Sequence, residues 1–457
     1  MYNFFHSIAK KGYVIYILSG IILGVFSAYV PVGYWMAAVL LFLGIIIGKY
    51  IIDSNVKGEA ANSLFKIFLF GLLLRVFLIA MFYLNFVLTN NEGVFGVDFW
   101  GYRFYGLKIA QLWHAGKFLD YISTSELIGL TRLISSYDYW NAFVYFFTDS
   151  NIIVILLINS LAASFVGLIV YFIAERIFGN RAAIISALVI TFWPSFVLWS
   201  TQNGKDTLIA FFLCSLVLAF ININKGLKIS FIPLAFISAY LLIKLQFYVA
   251  IVFFCVALPG FLVALSIYKR YPRKKVVVLI TLIVTLVALM VFYGKNPFDK
   301  AKKLLELTFA RANTQSISRV LEYHHRVRTI DAKSAFLLNA DYSSLYKILL
   351  SLPIGLLYVM FAPFPWQASS ILWLLTMPEM LLWYILFPLT FRGMIISFKQ
   401  KSSESILIIL LVFSLWVLWA LVEGNMGIMF RHRSISLPLY FIFTGAGIIG
   451  GNKNKNN

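Results

Sequence analysis

Three stretches of the chain carry ionisable side chains of types and spacing that could do chemistry. The first is GVDFWGYRFYGLKIAQLWHAGK, residues 96–117, a semi-polar segment that follows an apolar run and carries Asp98. A carboxylate there, its pKa moved by apolar surroundings, can take a proton from a hydroxyl as general base or hold a cationic group. It can equally cap the helix that follows by accepting from free backbone amides. The second is TQNGKD, where Lys205 and Asp206 stand at the head of another apolar run. Amides at a helix start, together with a lysine, bind phosphate; in the plainer reading Asp206 caps and Lys205 snorkels. The third is EGNMGIMFRHRSISLPLYFIF, with Arg431, His432 and Arg433 in succession. Two arginines offer forked hydrogen bonds to a phosphate that gains negative charge as a bond breaks. Read plainly, they are a topology signal.

Other residues are weaker candidates. His324 and His325 are adjacent, which is not helical ligand spacing, and no Cys or acidic cluster completes a set, so no metal is expected. Glu379 lies inside an apolar run beside Pro378, where an acid needs a partner that the sequence does not name. Cys214 and Cys255 both lie in apolar runs and read as small buried hydrophobes, with no disulfide implied.

The elements that position these groups are set by composition. With 457 residues, 61% hydrophobic and only 12% charged, the chain lacks the polar surface a soluble protein of this size needs. It reads as an all-α polytopic membrane protein. Apolar runs long enough to cross the bilayer, roughly 20 residues each, recur near 13–30, 34–52, 64–88, 151–174, 182–200, 206–223, 228–245, 247–267, 275–293, 371–391, 404–422 and 434–450. That gives about twelve spans and no evident cleavable signal. The net charge of +20 sits in short loops between spans, where Lys and Arg fix topology and meet anionic lipid, so membrane lipids are the partner and nucleic acid is not.

Charge alternation orients the chain. The basic start (Lys10, Lys11) and the link YKRYPRKK fall inside, and TQNGKD falls outside. Two long outer regions result, 89–150 and 294–346. In the first, Tyr102, Tyr105, Ile109, Leu112 and Trp113 recur at helical spacing with Arg103 and Lys108 offset, which predicts an amphipathic helix along the membrane interface. The second is basic, with Arg326 and Arg328 beside the histidines. The segment 347–365, with Pro353, Pro363 and Pro365, is expected to be re-entrant or broken, since the flanking charges then obey the inside-positive rule. Gly20 and Gly24 allow one close helix approach.

All three stretches carry a resemblance. The spacing Asp98, Tyr102, Ala110, Gly116 after a scaffold helix resembles the opening outer loop of the GT-C superfamily, the polytopic glycosyltransferases that include the protein O-mannosyltransferase-like enzymes. FGNRAAIISALVITFWPSFVLWSTQNGKDTLIAFF is similar to the same superfamily's FG-x-R-A-A start, late proline and polar outer turn, and Pro194 is expected to kink its helix. The arginines before Pro438 resemble that superfamily's arginine-containing late helix. The family pattern commonly has an acidic pair; here Asp98 stands alone at the motif core, with Glu92, Asp120 and Glu126 as candidate helpers.

The resemblance implies an inverting, metal-free transferase with no cofactor, its sugar donor carried on a polyprenyl phosphate and used at the outer face of a cytoplasmic membrane. Asp98 would be the acceptor base. Lys205, Arg431 and Arg433 would bind the lipid phosphate, and Tyr102, Asp206 and His432 would contact substrate. The acceptor could be a glycan, lipid or protein, in cell-envelope or extracellular polysaccharide synthesis. A polysaccharide polymerase or ligase of O-antigen type, or a non-catalytic flippase or transporter for lipid-linked saccharide, shares the same coarse features.

Overall fold

The computed structural model describes residues 31–89, 97–118, 134–226, 231–269, 344–367 and 371–450. The expected spans 13–30 and 275–293, the Gly20/Gly24 pair, Glu92, Asp120, Glu126, and nearly all of the 294–346 region lie outside the described residues.

The described elements are helical: α1 (Val32–Asn55), α2 (Glu59–Thr89), α3 (Val97–His114), α4 (Ser136–Thr148), α5 (Ile152–Phe178), α6 (Asn180–Thr191), α7 (Pro194–Ser200), α8 (Asp206–Gly226), α9 (Phe231–Leu245), α10 (Phe247–Val252), α11 (Leu258–Lys269), α12 (Leu345–Phe361), α13 (Ile371–Lys399), α14 (Ser403–Val422), α15 (Met426–Phe441) and α16 (Thr444–Ile449). Among the described residues seven helices are long and apolar enough to cross a membrane, eight if the bent pair α6–α7 is one span. The expected boundaries at 151, 206 and 404 fall within one residue of helix starts. Exposed Phe42, Phe70 and Phe77 on α1 and α2 are surfaces suited to hydrocarbon. Cys214 is buried, but Cys255 is exposed, on the outward side of the π-helical turn Phe253–Ala257.

The chain divides into two compact units. The first comprises residues up to Tyr50, Val76–Leu161 and Thr201–Gly204. Here α3 buries Tyr102, Tyr105 and Ile109 and leaves Lys108 exposed, as its periodicity predicts. It lies on α4: Gly106 sits so close to Asn141 that a methyl group would not fit, and Tyr102 meets Tyr137 edge-on at 4.8 Å. Helix α4 starts at a capping box in which the Ser135 hydroxyl accepts from the Asp138 amide and the Asp138 carboxylate accepts from the Ser135 amide. The turn 201–204 is held by a buried polar network. Tyr137 Oη lies 3.1 Å from both Asn203 Oδ1 and the Gly204 carbonyl, and Asn159 Nδ2 donates to the Gln202 and Gly204 carbonyls at 2.9 and 3.0 Å.

The second unit comprises Ile51–Arg75, Ala162–Ser200 and the chain from Lys205 onward. Helices α6 and α7 bend by 57° around Pro194, the kink expected from that proline. Thr191, at the end of α6, fits between Gly71 and Gly167, neither of which has room for a Cβ. At the C-terminal end Gly445 lies against the Ala182 backbone and Gly447 against that of Leu389, so helices meet backbone to backbone.

Helix α12 runs unbroken through Pro353 and ends at Phe361, before Pro363 and Pro365. One expectation about the late helices changes. In place of the one span expected from about 434 to 450, α15 begins at Met426 and ends at Phe441, with α16 following separately; the Asn425 side chain caps α15 by accepting from the Gly427 amide at 2.9 Å. The tripeptide 431–433 is therefore inside a helix and not in front of one.

Candidate functional site

Helix α8 opens at Asp206, whose carboxylate stands in the first turn where amides lack intrahelical partners. Arg431 on α15 reaches it, Nε to Oδ2 at 3.3 Å, with the side chains 15% and 5% exposed. Lys205, one residue before, donates from Nζ to the Leu245 carbonyl at 3.3 Å, at the end of α9. The head of α8 thus gathers two cations and one carboxylate, all in the second unit.

Successive residues of an α-helix point about 100° apart, and the tripeptide is accordingly split three ways. His432 turns to Glu423, Nδ1 to Oε1 at 3.1 Å, and stacks on Trp419 with ring centroids 5.8 Å apart. Arg433 points into the protein, 1% exposed. Its Nη1 donates to the carbonyls of Met360 and Ala362 at 3.1 and 3.0 Å, and its guanidinium lies over the rings of Trp383 and Phe430 at 4.9 and 5.0 Å. These are the carbonyls at the end of α12, where no further helical turn can serve them. Trp383 Nε1 and Tyr384 Oη donate to the neighbouring Met360 and Phe361 carbonyls at 2.7 and 2.9 Å. So Arg433, expected to join Arg431 on a phosphate, instead holds the turn after α12.

Glu379, the acid whose partner the sequence could not name, is 4% exposed and accepts from both the amide and the hydroxyl of Ser195, each at 2.7 Å. Asp98 and Tyr102 belong to the other unit. Asp98 is exposed in the first turn of α3, and Tyr102 is buried against Tyr137.

Several polar residues escaped the sequence reading. Arg75 is fully buried in α2, and its presence inside an apolar run is a signal available in the sequence. The S-x-x-D of Ser135 and Asp138 announces α4, the second helix of the 89–150 region. Glu423, Asn159 and Asn203 carry no local signature; their roles come from contacts across the fold.

Helices of this length and apolarity define a multi-pass membrane protein. Within it, residues 137–293 match the family model described as dolichyl-phosphate-mannose-protein mannosyltransferase, about a third of the chain. The resemblance to GT-C glycosyltransferases is shown over this segment, which includes the broken helix, Lys205 and Asp206. Among solved structures, the oligosaccharyltransferase of Archaeoglobus fulgidus in its apo form is 16% identical with a TM-score of 0.39, covering 64% of this chain and 39% of its own. The archaeal oligosaccharyltransferase AglB from the same organism, in complex with an inhibitory peptide and a dolichol-phosphate, gives 16%, 0.39, 65% and 39%. The chain therefore spans 39% of the length of these structures. No curated protein matches it.

Proposed function

We propose that the protein is a GT-C-type glycosyltransferase that moves a sugar from a polyprenyl-phosphate donor to a glycan, lipid or protein acceptor at the outer face of a cytoplasmic membrane, in cell-envelope or extracellular polysaccharide synthesis. The observation that carries the reading is the Arg431–Asp206 pair at the head of α8, in which Asp206 and the neighbouring Lys205, though not Arg431, lie inside the segment that matches the mannosyltransferase model.

In this mechanism the acceptor oxygen bonds to the anomeric carbon as the bond from that carbon to the phosphate oxygen breaks. The acceptor proton passes to Asp98. The charge left on the lipid phosphate is taken by Lys205 and by Arg431, a guanidinium being suited to forked hydrogen bonds with phosphate. Asp206 pairs with Arg431 at 3.3 Å. His432 and Tyr102 are assigned to substrate contact, and Arg433 supports the α12 turn.

The test is turnover by the purified full chain in lipid nanodiscs, given a polyprenyl-phosphate sugar and an acceptor mixture with no ion gradient. Release of free polyprenyl phosphate together with a glycosylated product is the expected result. Movement of the intact donor between leaflets with no sugar transfer would instead identify a flippase.

A further inference from the structure

The short helix α7 is held at both ends by buried ionisable side chains from elsewhere in the second unit. At its start, Glu379 of α13 takes the Ser195 amide on one oxygen and the Ser195 hydroxyl on the other. At its end, Arg75 of α2 donates from Nε to Ser200 Oγ at 2.8 Å. The same guanidinium donates from Nη1 to the Thr191 carbonyl at 3.0 Å, a group left without a helical partner by the break before Pro194. One side chain therefore grips the C-terminal ends of both α6 and α7. A guanidinium buried in a membrane-spanning helix is costly to retain, and among the described residues Arg75 is bonded to neutral acceptors and to no carboxylate. Burial of its lining does not need a cation; holding two helix ends at a fixed angle does.

We propose that Arg75 and Glu379 are positioning residues that clamp the 57° break, so that the chain leaving Ser200 delivers Lys205 and Asp206 to the start of α8 in the orientation that meets Arg431. This role in delivery rests on reading the Lys205–Asp206–Arg431 cluster as the phosphate end of the donor. The clamp itself rests only on the contacts above. Neither residue touches that cluster in the contacts described, so their effect on donor binding is indirect.

Hydrogen exchange of the full chain in nanodiscs tests it. Arg75→Gln and Glu379→Gln are expected to speed exchange of the amides of residues 195–206 by about tenfold or more, with the amides of α14 unchanged. Arg75→Lys, which cannot fork to both helix ends, should give an intermediate effect. Ser200→Ala removes one bond on Arg75 while leaving both charges in place, and serves where the charge variants do not fold. Exchange unchanged in 195–206, or rising equally in α14, overturns the clamp. Where exchange rises, the donor KM is expected to rise about tenfold with kcat nearly kept; an unchanged KM overturns the delivery role. If the unaltered protein transfers no sugar, the functional reading falls, and the exchange result still decides the clamp.

Discussion

Arg431 Nε and Asp206 Oδ2 lie 3.3 Å apart, joining the head of α8 to the middle of α15. A largely buried pair of this kind is weak evidence for stability, because desolvation offsets the attraction, so its placement is better explained by what the guanidinium can do once an anion arrives. Arg431→Gln is therefore expected to raise the donor KM by about tenfold or more, the loss of one charge-assisted hydrogen-bonding group, and to lower the melting temperature as well, because Asp206 is left buried without its partner. Donor titration of turnover, run beside a thermal melt, reads both quantities.

Asp98→Asn removes the proposed acceptor base and keeps the size and shape of the side chain. Its exposure in the first turn of α3 makes a folding defect an unsuitable explanation for lost activity. Turnover should drop by about a hundredfold or more, the usual range for a lost general base, while donor binding measured by equilibrium titration is retained. Full activity in this variant would remove Asp98 from the mechanism.

Arg433 should behave differently from Arg431 although only one residue separates them. Arg433→Ala strips the α12 turn of its donor and leaves buried Glu379 with less positive charge nearby. Breaking a buried charged network of this type costs about 3–5 kcal/mol, visible as a lower midpoint of thermal unfolding in detergent. Arg433→Lys should recover only part of it, because an ammonium does not reproduce the planar fork to carbonyls and rings. A melt unchanged in Arg433→Ala, with donor KM raised, would instead return Arg433 to the phosphate.

Gly445→Ala places a methyl group against the Ala182 backbone, which cannot rotate out of the way as a side chain would. Overpacking costs about 1–3 kcal/mol. A lowered unfolding midpoint is expected from this overlap, whereas in Gly58→Ala a Cβ meets nothing and any lowering comes from the positive φ of 66° alone.

The membrane architecture was legible because it depends on local quantities. Apolar run length located α1, α2, α5 and α8, and the proline at 194 located the bend. Positions of single charges were legible too: Asp206 does open a helix, and the periodicity of Tyr102, Tyr105 and Ile109 does describe a buried face. What each charge touches was not. The reading of Arg431 and Arg433 as one cluster treated neighbours in sequence as neighbours in space, an inference that fails inside a helix and would have held in an extended segment. That error began with the boundary: a helix expected from 434 leaves the arginines in front of it, whereas the Asn425 cap encloses them. Glu379 was visible as an anomaly and Arg75 offered the same signal unread, yet their partners Ser195, Ser200 and Thr191 are ordinary small residues that no motif distinguishes.

The three-way division of residues 431–433 makes this part of α15 a device read by phase rather than by composition. Exchanging Arg431 with His432 would conserve charge, volume and hydrophobicity, yet leave Asp206 facing an imidazole and Glu423 facing a guanidinium. One residue inserted between Asn425 and Arg431 would rotate all three positions by about 100°, handing each partner the wrong side chain in a single event. A change of length elsewhere in the chain leaves this phase untouched, but the spacing from the Asn425 cap to Arg431 behaves as a reading frame.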